Sequence, residues 1–150
     1  MLRLRAAQAT DVPAIFALIG ELADYEQLRH QMSGSPDDLQ RHLFGEPRFA
    51  SALIAQWDDA VAGFALYFFN YSTFLCRPGL YLEDLFVRAH YRGRGIGRAL
   101  LAALEQRARE LGCGRLEWAV LDWNRGAIDF YRRFGAHPNA DWTLFRKDLS

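Results

Sequence analysis

The run Arg92-Gly93-Arg94-Gly95-Ile96-Gly97-Arg98 constrains this chain more than any other feature. Its glycines permit positive φ and let ligand atoms approach the backbone closely. Leu80–Val87, a mixture of apolar and acidic residues, precedes it and reads as a strand. Leu100, Leu101, Leu104, Ala108 and Leu111 follow it at the spacing of a buried helix face, and Gly112 and Gly114 are expected to stop that helix. Arg115–Leu121 then alternates as another strand. A strand, a glycine turn, a helix and a strand form a right-handed crossover unit. Backbone N–H groups in such a turn converge into a concave anion site. The helix N-terminus adds roughly half a positive charge. Arg88, Arg92, Arg94 and Arg98 surround the turn with no acid between 88 and 98, which suits a pyrophosphate. The plain alternative is a Gly/Arg-rich loop with no ligand. The P-loop needs a Lys followed by Ser or Thr, and the dinucleotide fingerprint needs G-x-G-x-x-G. Gly93, Gly95 and Gly97 fit neither.

The rest of the chain supplies what packs around this unit. Leu2 and Leu4 alternate with Arg3 and Arg5 as a short strand. Thr10 is the expected N-cap of a helix with Ile15, Leu18, Ile19 and Leu22 on one face. Ser35-Pro36-Asp37-Asp38 opens a second helix that runs to about Phe44. Ala50–Gln56 and Val61–Phe69 read as strands with Asp58-Asp59 as their hairpin turn, and a loop contains Arg77-Pro78-Gly79. Asn124 caps a helix carrying Ile128, Tyr131 and Phe134, ended by Gly135, and Trp142–Leu149 reads as a last strand. The order β-α-α-β-β-β-α-β-α-β, with no linker or repeat, predicts one mixed α/β domain over 1–150.

A chain of 150 residues can bury about 70% of its unfolded surface, so it needs no disulfide or metal staple. Eighteen basic and eighteen acidic residues exclude a chain that is basic throughout, as many nucleic-acid binders are. The short Arg88–Arg98 patch gives no expectation of a nucleic-acid partner. No stretch approaches 18 apolar residues, so no membrane span is expected. Met1–Arg5 lacks the apolar core of a signal peptide, and Cys76 and Cys113 form no framework, so the expected setting is cytoplasmic. His30, His42, His90 and His137 do not cluster, and no metal is expected.

Arg92, Gly95 and Gly97 occupy the fixed positions of [QR]-x-x-G-x-[GA], the pyrophosphate motif of the GNAT superfamily of acetyl-CoA-dependent N-acetyltransferases, which the chain resembles. Asn124, Phe130-Tyr131 and Phe134-Gly135-Ala136 also match. Within that superfamily the chain looks like the spermidine/spermine N1-acetyltransferase (diamine acetyltransferase) branch. The similar segments are Glu21-Leu22-Ala23 with Tyr25-Glu26, Phe64–Phe69, Tyr81–Val87 followed by Tyr91-Arg92-Gly93, Trp123-Asn124, Asp129-Phe130-Tyr131, and Trp142 with Leu144-Phe145. The hairpin at Asp58-Asp59, the loop at Pro138–Asp141 and the tail are shorter than in that branch. The resemblance implies a mixed, mostly antiparallel sheet flanked by helices, acetyl-CoA as co-substrate, and a homodimer.

Acetyl transfer to an amine requires proximity, loss of an ammonium proton, donors for the developing oxyanion, and a proton for the leaving thiolate. By resemblance Tyr131 is the candidate proton donor, although its spacing with Ile128 and Phe134 also suits a core aromatic. Glu83 is either a relay for the amine proton or an anchor for a substrate ammonium. Adjacent strand residues point to opposite faces, so Glu83 and Asp84 share the cleft only if a bulge intervenes. Arg92, Gly93, Arg94, Gly95, Ile96, Gly97 and Arg98 are expected to hold the co-substrate's pyrophosphate. The main chain of Leu85, Phe86 and Val87 is expected to serve its pantetheine arm, with N–H groups at about Phe86–Arg88 polarising the thioester. Asn124 and Tyr131 join this set, Asn124 also being fully explained as a cap. Tyr25, Glu26, Glu83, Asp84 and Trp142 are the expected amine contacts, because residues 21–46 carry six acids against Arg29 and Arg41. A solvated acidic helix face is the bland alternative. The leading expectation is acetylation of a small cationic polyamine or diamine in a ternary complex. The alternatives are thialysine or another amino compound, a protein N-terminus or lysine, and a non-catalytic acyl-CoA-binding module.

Overall fold

The computed structural model describes residues 1–149 in two compact units, one spanning Met1–Ala119 and the other beginning at Val120. The first holds β1 (Leu2–Ala6), α1 (Val12–Tyr25), α2 (Pro36–Phe44), β2 (Ser51–Trp57), β3 (Ala60–Ser72), β4 (Arg77–Val87), α3 (Ile96–Glu110) and β5 (Arg115–Trp118). The strands form one sheet in the order β1-β2-β3-β4-β5, antiparallel except for β4 with β5. The mixed, mostly antiparallel sheet with flanking helices is as expected. The second unit carries α4 (Arg125–Arg133).

Local chemistry accounts for most boundaries. The Ser35 side chain accepts the Asp38 N–H at 3.2 Å and caps α2. Asp58 adopts φ 55° in the β2–β3 turn. Thr10, however, is not the cap of α1. It lies in a 3₁₀ turn, Ala9–Asp11, and α1 starts after Asp11. There Asp11 accepts from the Gln8 N–H at 2.7 Å and from both terminal nitrogens of Arg5 at 2.7 and 2.8 Å. That bidentate pair ties β1 to α1 and lowers the Asp11 carboxyl pKa. Arg77-Pro78-Gly79 also belongs to a strand, paired with Ser72–Asn70. Pro78 sits there without a place in the β5 ladder, which begins at Gly79. Trp142–Leu149 forms no strand, and Trp142, Leu144 and Phe145 stand exposed. Its alternation breaks at Phe145-Arg146-Lys147-Asp148, and propensity without a partner ladder does not make a strand.

Ile15, Leu18, Leu43, Ala52, Ile54, Phe64, Leu66 and Phe86 form the core between the sheet and α1–α2. Leu100, Leu101 and Leu104 of α3 are fully buried. Tyr67, on the opposite face from Leu66, lines a cleft with Leu53 and Leu104. Between these layers β4 changes register: Leu82 pairs with Tyr67 and Asp84 with Leu66, so Glu83 is an extra residue opposite no partner. This β-bulge lies in the middle of the strand that precedes the glycine turn.

Candidate active site

Gly93 and Gly95 adopt φ 80° and 79°, and Gly95 is the N-cap of the 15-residue α3. A Cβ added at either would meet nothing within 4 Å. Backbone conformation therefore demands these glycines, and the space over the turn is open to a ligand. The first N–H groups of α3 have no acceptor within the helix. Arg94 stacks over the rings of Trp57 and Tyr91 at 4.9 and 5.4 Å. Arg92 donates from Nε to the Val87 carbonyl at 2.9 Å, with its guanidinium over the rings of Tyr25 and Phe86 at 5.1 and 5.4 Å. An open, positive-φ turn with cations at a helix N-terminus fits a pyrophosphate. Arg88 is not one of those cations. It donates to Glu21 and to the Val61 carbonyl, each at 3.1 Å, and so fastens α1 to the end of the sheet.

The Arg88 N–H donates to the Ala62 carbonyl at 2.8 Å. The expectation that it polarises a thioester therefore fails, because the sheet already uses it. Antiparallel alternation places the Phe86 N–H in the same ladder and turns the main chain of Leu85 and Val87 to the other edge. The β5 ladder ends at Leu82, so among the described residues no strand pairs with that edge beyond it. The result is a stretch of backbone without a ladder partner on that side, its Val87 carbonyl taken by Arg92, that leads to the glycine turn.

The bulge decides the carboxylates. Asp84 pairs with Leu66, a residue of the α1–α2 core, and so lies on the face of α1. Its carboxyl pKa is pushed up to about 7, first by burial and then by the charges of Glu83 and Glu26. Glu26, at the C-cap of α1, is also raised, by burial and then by Glu83. Glu83 itself is exposed. Glu26, Glu83 and Asp84 thus form one interacting acidic set, with Tyr25 next to Glu26 and partly exposed. Among the described residues, no group of His, Cys, Asp and Glu is placed to hold a metal ion.

In the second unit, the Asn124 side chain accepts the Ala127 N–H at 3.3 Å and caps α4. Tyr131 lies on α4, half-buried, with its ring centroid 5.6 Å from that of Phe130. Trp142 lies outside any helix or strand.

The sequence pattern of the acetyltransferase (GNAT) family matches residues 17–136. This chain belongs to the GNAT family. It is 39% identical to a thialysine N-epsilon-acetyltransferase of Bos taurus over 95% of this chain and 90% of the relative. It is 36% identical to a human spermidine/spermine N(1)-acetyltransferase-like protein 1 over 96% of this chain, although that relative is long and only 22% of it is covered. An integron cassette protein from the mobile metagenome of V. cholerae superposes with a TM-score of 0.81 at 27% identity, over 99% of this chain and 93% of that one. The GNAT chain is accordingly an N-acetyltransferase, and members of its family use acetyl-CoA as co-substrate. The likeness to the spermidine/spermine branch is borne out by the same relatives. No helix of the described residues is long and apolar enough to cross a membrane.

Within this GNAT chain's first unit, the expected residues assemble as a connected set. Arg92 touches Tyr25 and Phe86, while Glu26, Glu83 and Asp84 act on one another. Sequence reasoning missed Arg88 as the partner of Glu21, 67 positions away, and no local signal announces that pair. It also gave Glu83 the leading role, whereas Asp84 is the more enclosed and more perturbed acid. None of the expected site residues lines the cleft beside α3.

Proposed function

We propose that residues 1–150 act as one GNAT domain that acetylates a terminal primary amine of a small diamine or polyamine, with acetyl-CoA as donor, by direct attack in a ternary complex. The acidic set carries this reading: Asp84 sits half-buried with a carboxyl at about 7, and the charges acting on it are both acids. An incoming ammonium supplies the missing positive charge and lowers the Asp84 pKa. The carboxylate so ionised can accept the proton that the amine must lose, since an alkylammonium holds it up to about pH 10.4. Glu83, which is exposed, relays that proton or anchors the second ammonium, and Tyr25 and Glu26 complete the amine contacts.

The co-substrate's pyrophosphate lies on the turn Arg92–Arg98, and its arm follows the open backbone of Leu85–Val87. The N–H of Val87 or Leu85 is left to polarise the carbonyl as the amine nitrogen bonds to it and the carbon–sulfur bond breaks. Tyr131, which matches the superfamily's tyrosine in sequence, returns a proton to the thiolate, and Asn124 supports the arm as well as capping α4. The names of the relatives support the amine class. Thialysine and spermidine each carry a terminal primary amine and a second amine on a flexible chain. A homodimer and a cytoplasmic setting are part of this proposal. Light scattering of the purified protein tests the first, and fractionation of the producing cell tests the second.

The decisive experiment is CoA release by purified protein with acetyl-CoA and spermidine, spermine, putrescine, thialysine, lysine or a short peptide. Turnover is expected with thialysine or a polyamine. Turnover with the peptide alone would overturn the small-amine assignment. Acetyl-CoA binding without turnover on any amine would favour the non-catalytic acyl-CoA-binding alternative.

A further inference from the structure

We infer that the cleft between β1–β3 and α3 is a second binding site, for a small monocarboxylate with an apolar body. Its volume is about 720 Å³, within the range of small-ligand pockets, and none of the residues assigned to acetyl transfer lines it. Its floor is apolar. Leu4 and Leu53 are only part-buried and lie on the sheet face that carries Tyr67, with Leu104 of α3 beside them. One polar group in this floor is incomplete. Tyr67 is 6% exposed, and its hydroxyl has no hydrogen-bond partner among the described residues. No fully enclosed side-chain oxygen or nitrogen among those residues lacks a partner, so this hydroxyl opens into the cleft that Tyr67 lines. Ser51 lies opposite Tyr67 in the β2–β3 register, on the same face, and offers a second hydroxyl. A ligand oxygen placed there completes a hydrogen bond that the fold leaves open.

Charge selects the ligand. Arg5, Arg48, Arg107 and Glu110 border the cleft. Arg5 is already matched by Asp11. The Arg107 guanidinium has no partner among the described residues, and Arg48 uses only its Nε, on the Ala50 carbonyl at 3.2 Å. Glu110, which accepts from the Gln106 amide at 3.1 Å, offsets one of these two cations. One positive charge is left over, which suits a monoanion better than a phosphate dianion. A guanidinium fork and hydroxyl donors match the two oxygens of a carboxylate, and the leucines take the apolar remainder of the molecule.

Calorimetric titration of octanoate into the full chain, with and without saturating CoA, tests this. Saturable binding is expected, with a Kd that CoA leaves unchanged, because the glycine turn and the β4 backbone lie outside the cleft. Butanoate should bind at least about tenfold more weakly, since each buried methylene is worth about fourfold in affinity. Octylammonium should not bind. Tyr67→Phe, which keeps the ring, and Arg107→Gln should each raise the octanoate Kd about tenfold. Arg107 is exposed, so its variant should melt at the parent's temperature, and it decides the matter if Tyr67→Phe proves unstable. No saturable binding, equal binding of octylammonium, loss of binding when CoA is present, or a parent-like Kd in Arg107→Gln would each overturn the site.

Discussion

The glycine turn ahead of α3 and the carboxylates beside α1 answer opposite electrostatic demands by different means. The turn suits an anion through its backbone: two glycines at φ near 80°, open space above them, and a helix terminus. It is polar wherever the side chains happen to lie. The acidic set suits a cation through side chains alone, and its character depends on burial of Asp84 against residues distant in sequence. The turn is therefore ready at any pH near neutral. Asp84, with its carboxyl pushed up to about 7, changes protonation within that range.

Four substitutions sharpen or break this contrast. The largest effect should come from outside both regions. Tyr131→Phe should lower kcat at least about 100-fold, the usual contribution of a positioned acid, with CoA affinity unchanged by calorimetry. Unchanged turnover would remove Tyr131 from the chemistry. Asp84→Asn should lower kcat/KM about 30-fold, as expected for loss of a charged hydrogen bond, and abolish the rise of the unaltered enzyme's rate through about pH 7.

The same variant has a stability consequence. The Asp84 carboxyl is raised on folding, so the folded state binds its proton more tightly than the unfolded state. The stabilisation from that proton is complete below about pH 4 and is lost as pH rises to about 7. A raise of roughly three units corresponds to about 4 kcal/mol. Asp84→Asn should therefore be more stable than the parent at pH 8 by chemical denaturation and flatter with pH. An identical pH–stability curve would refute the burial argument.

Gly95→Val should weaken CoA binding about tenfold, because left-handed backbone costs an ordinary residue roughly 1–2 kcal/mol and the side chain enters the ligand's space. Normal binding would displace the pyrophosphate from this turn. Glu83→Gln should have the smallest effect. Exposed charge pairs are worth about 0.2–1 kcal/mol, a rise in amine KM of at most about fivefold. A pH profile and KM both unaltered would exclude Glu83 from either of its roles.

The turn was legible in the sequence because everything it needs lies within seven residues and the helix that follows. The caps at Ser35 and Asn124 and the turn at Asp58 were readable for the same reason. The acidic set was legible only as composition. Alternation along β4 forbids Glu83 and Asp84 from sharing a face, and only the register against β3 locates the extra residue that frees them. That register is fixed by Phe64 and Leu66 packing under α1, a long-range fact. Arg88 misled for a similar reason: a cation four residues before the turn looked like part of it, but Glu21 had claimed it across the fold. Trp142–Leu149 misled in the opposite way, since local alternation promised a ladder that no neighbour among the described residues supplies.

The bulge at Glu83 makes β4 a seam. Before it, Leu80 and Leu82 are buried in register with Phe69 and Tyr67; after it, Phe86 serves the opposite layer beside α1. Deleting Glu83 would restore a regular ladder, with Leu82 still opposite Tyr67, Asp84 opposite Leu66 and Phe86 opposite Phe64. Both hydrophobic layers would keep their residues, and only a carboxylate and the local bend of the strand would go. The second acid is thus an addition that the packing accommodates without depending on it, and the site can gain or lose it while either layer stays as it is.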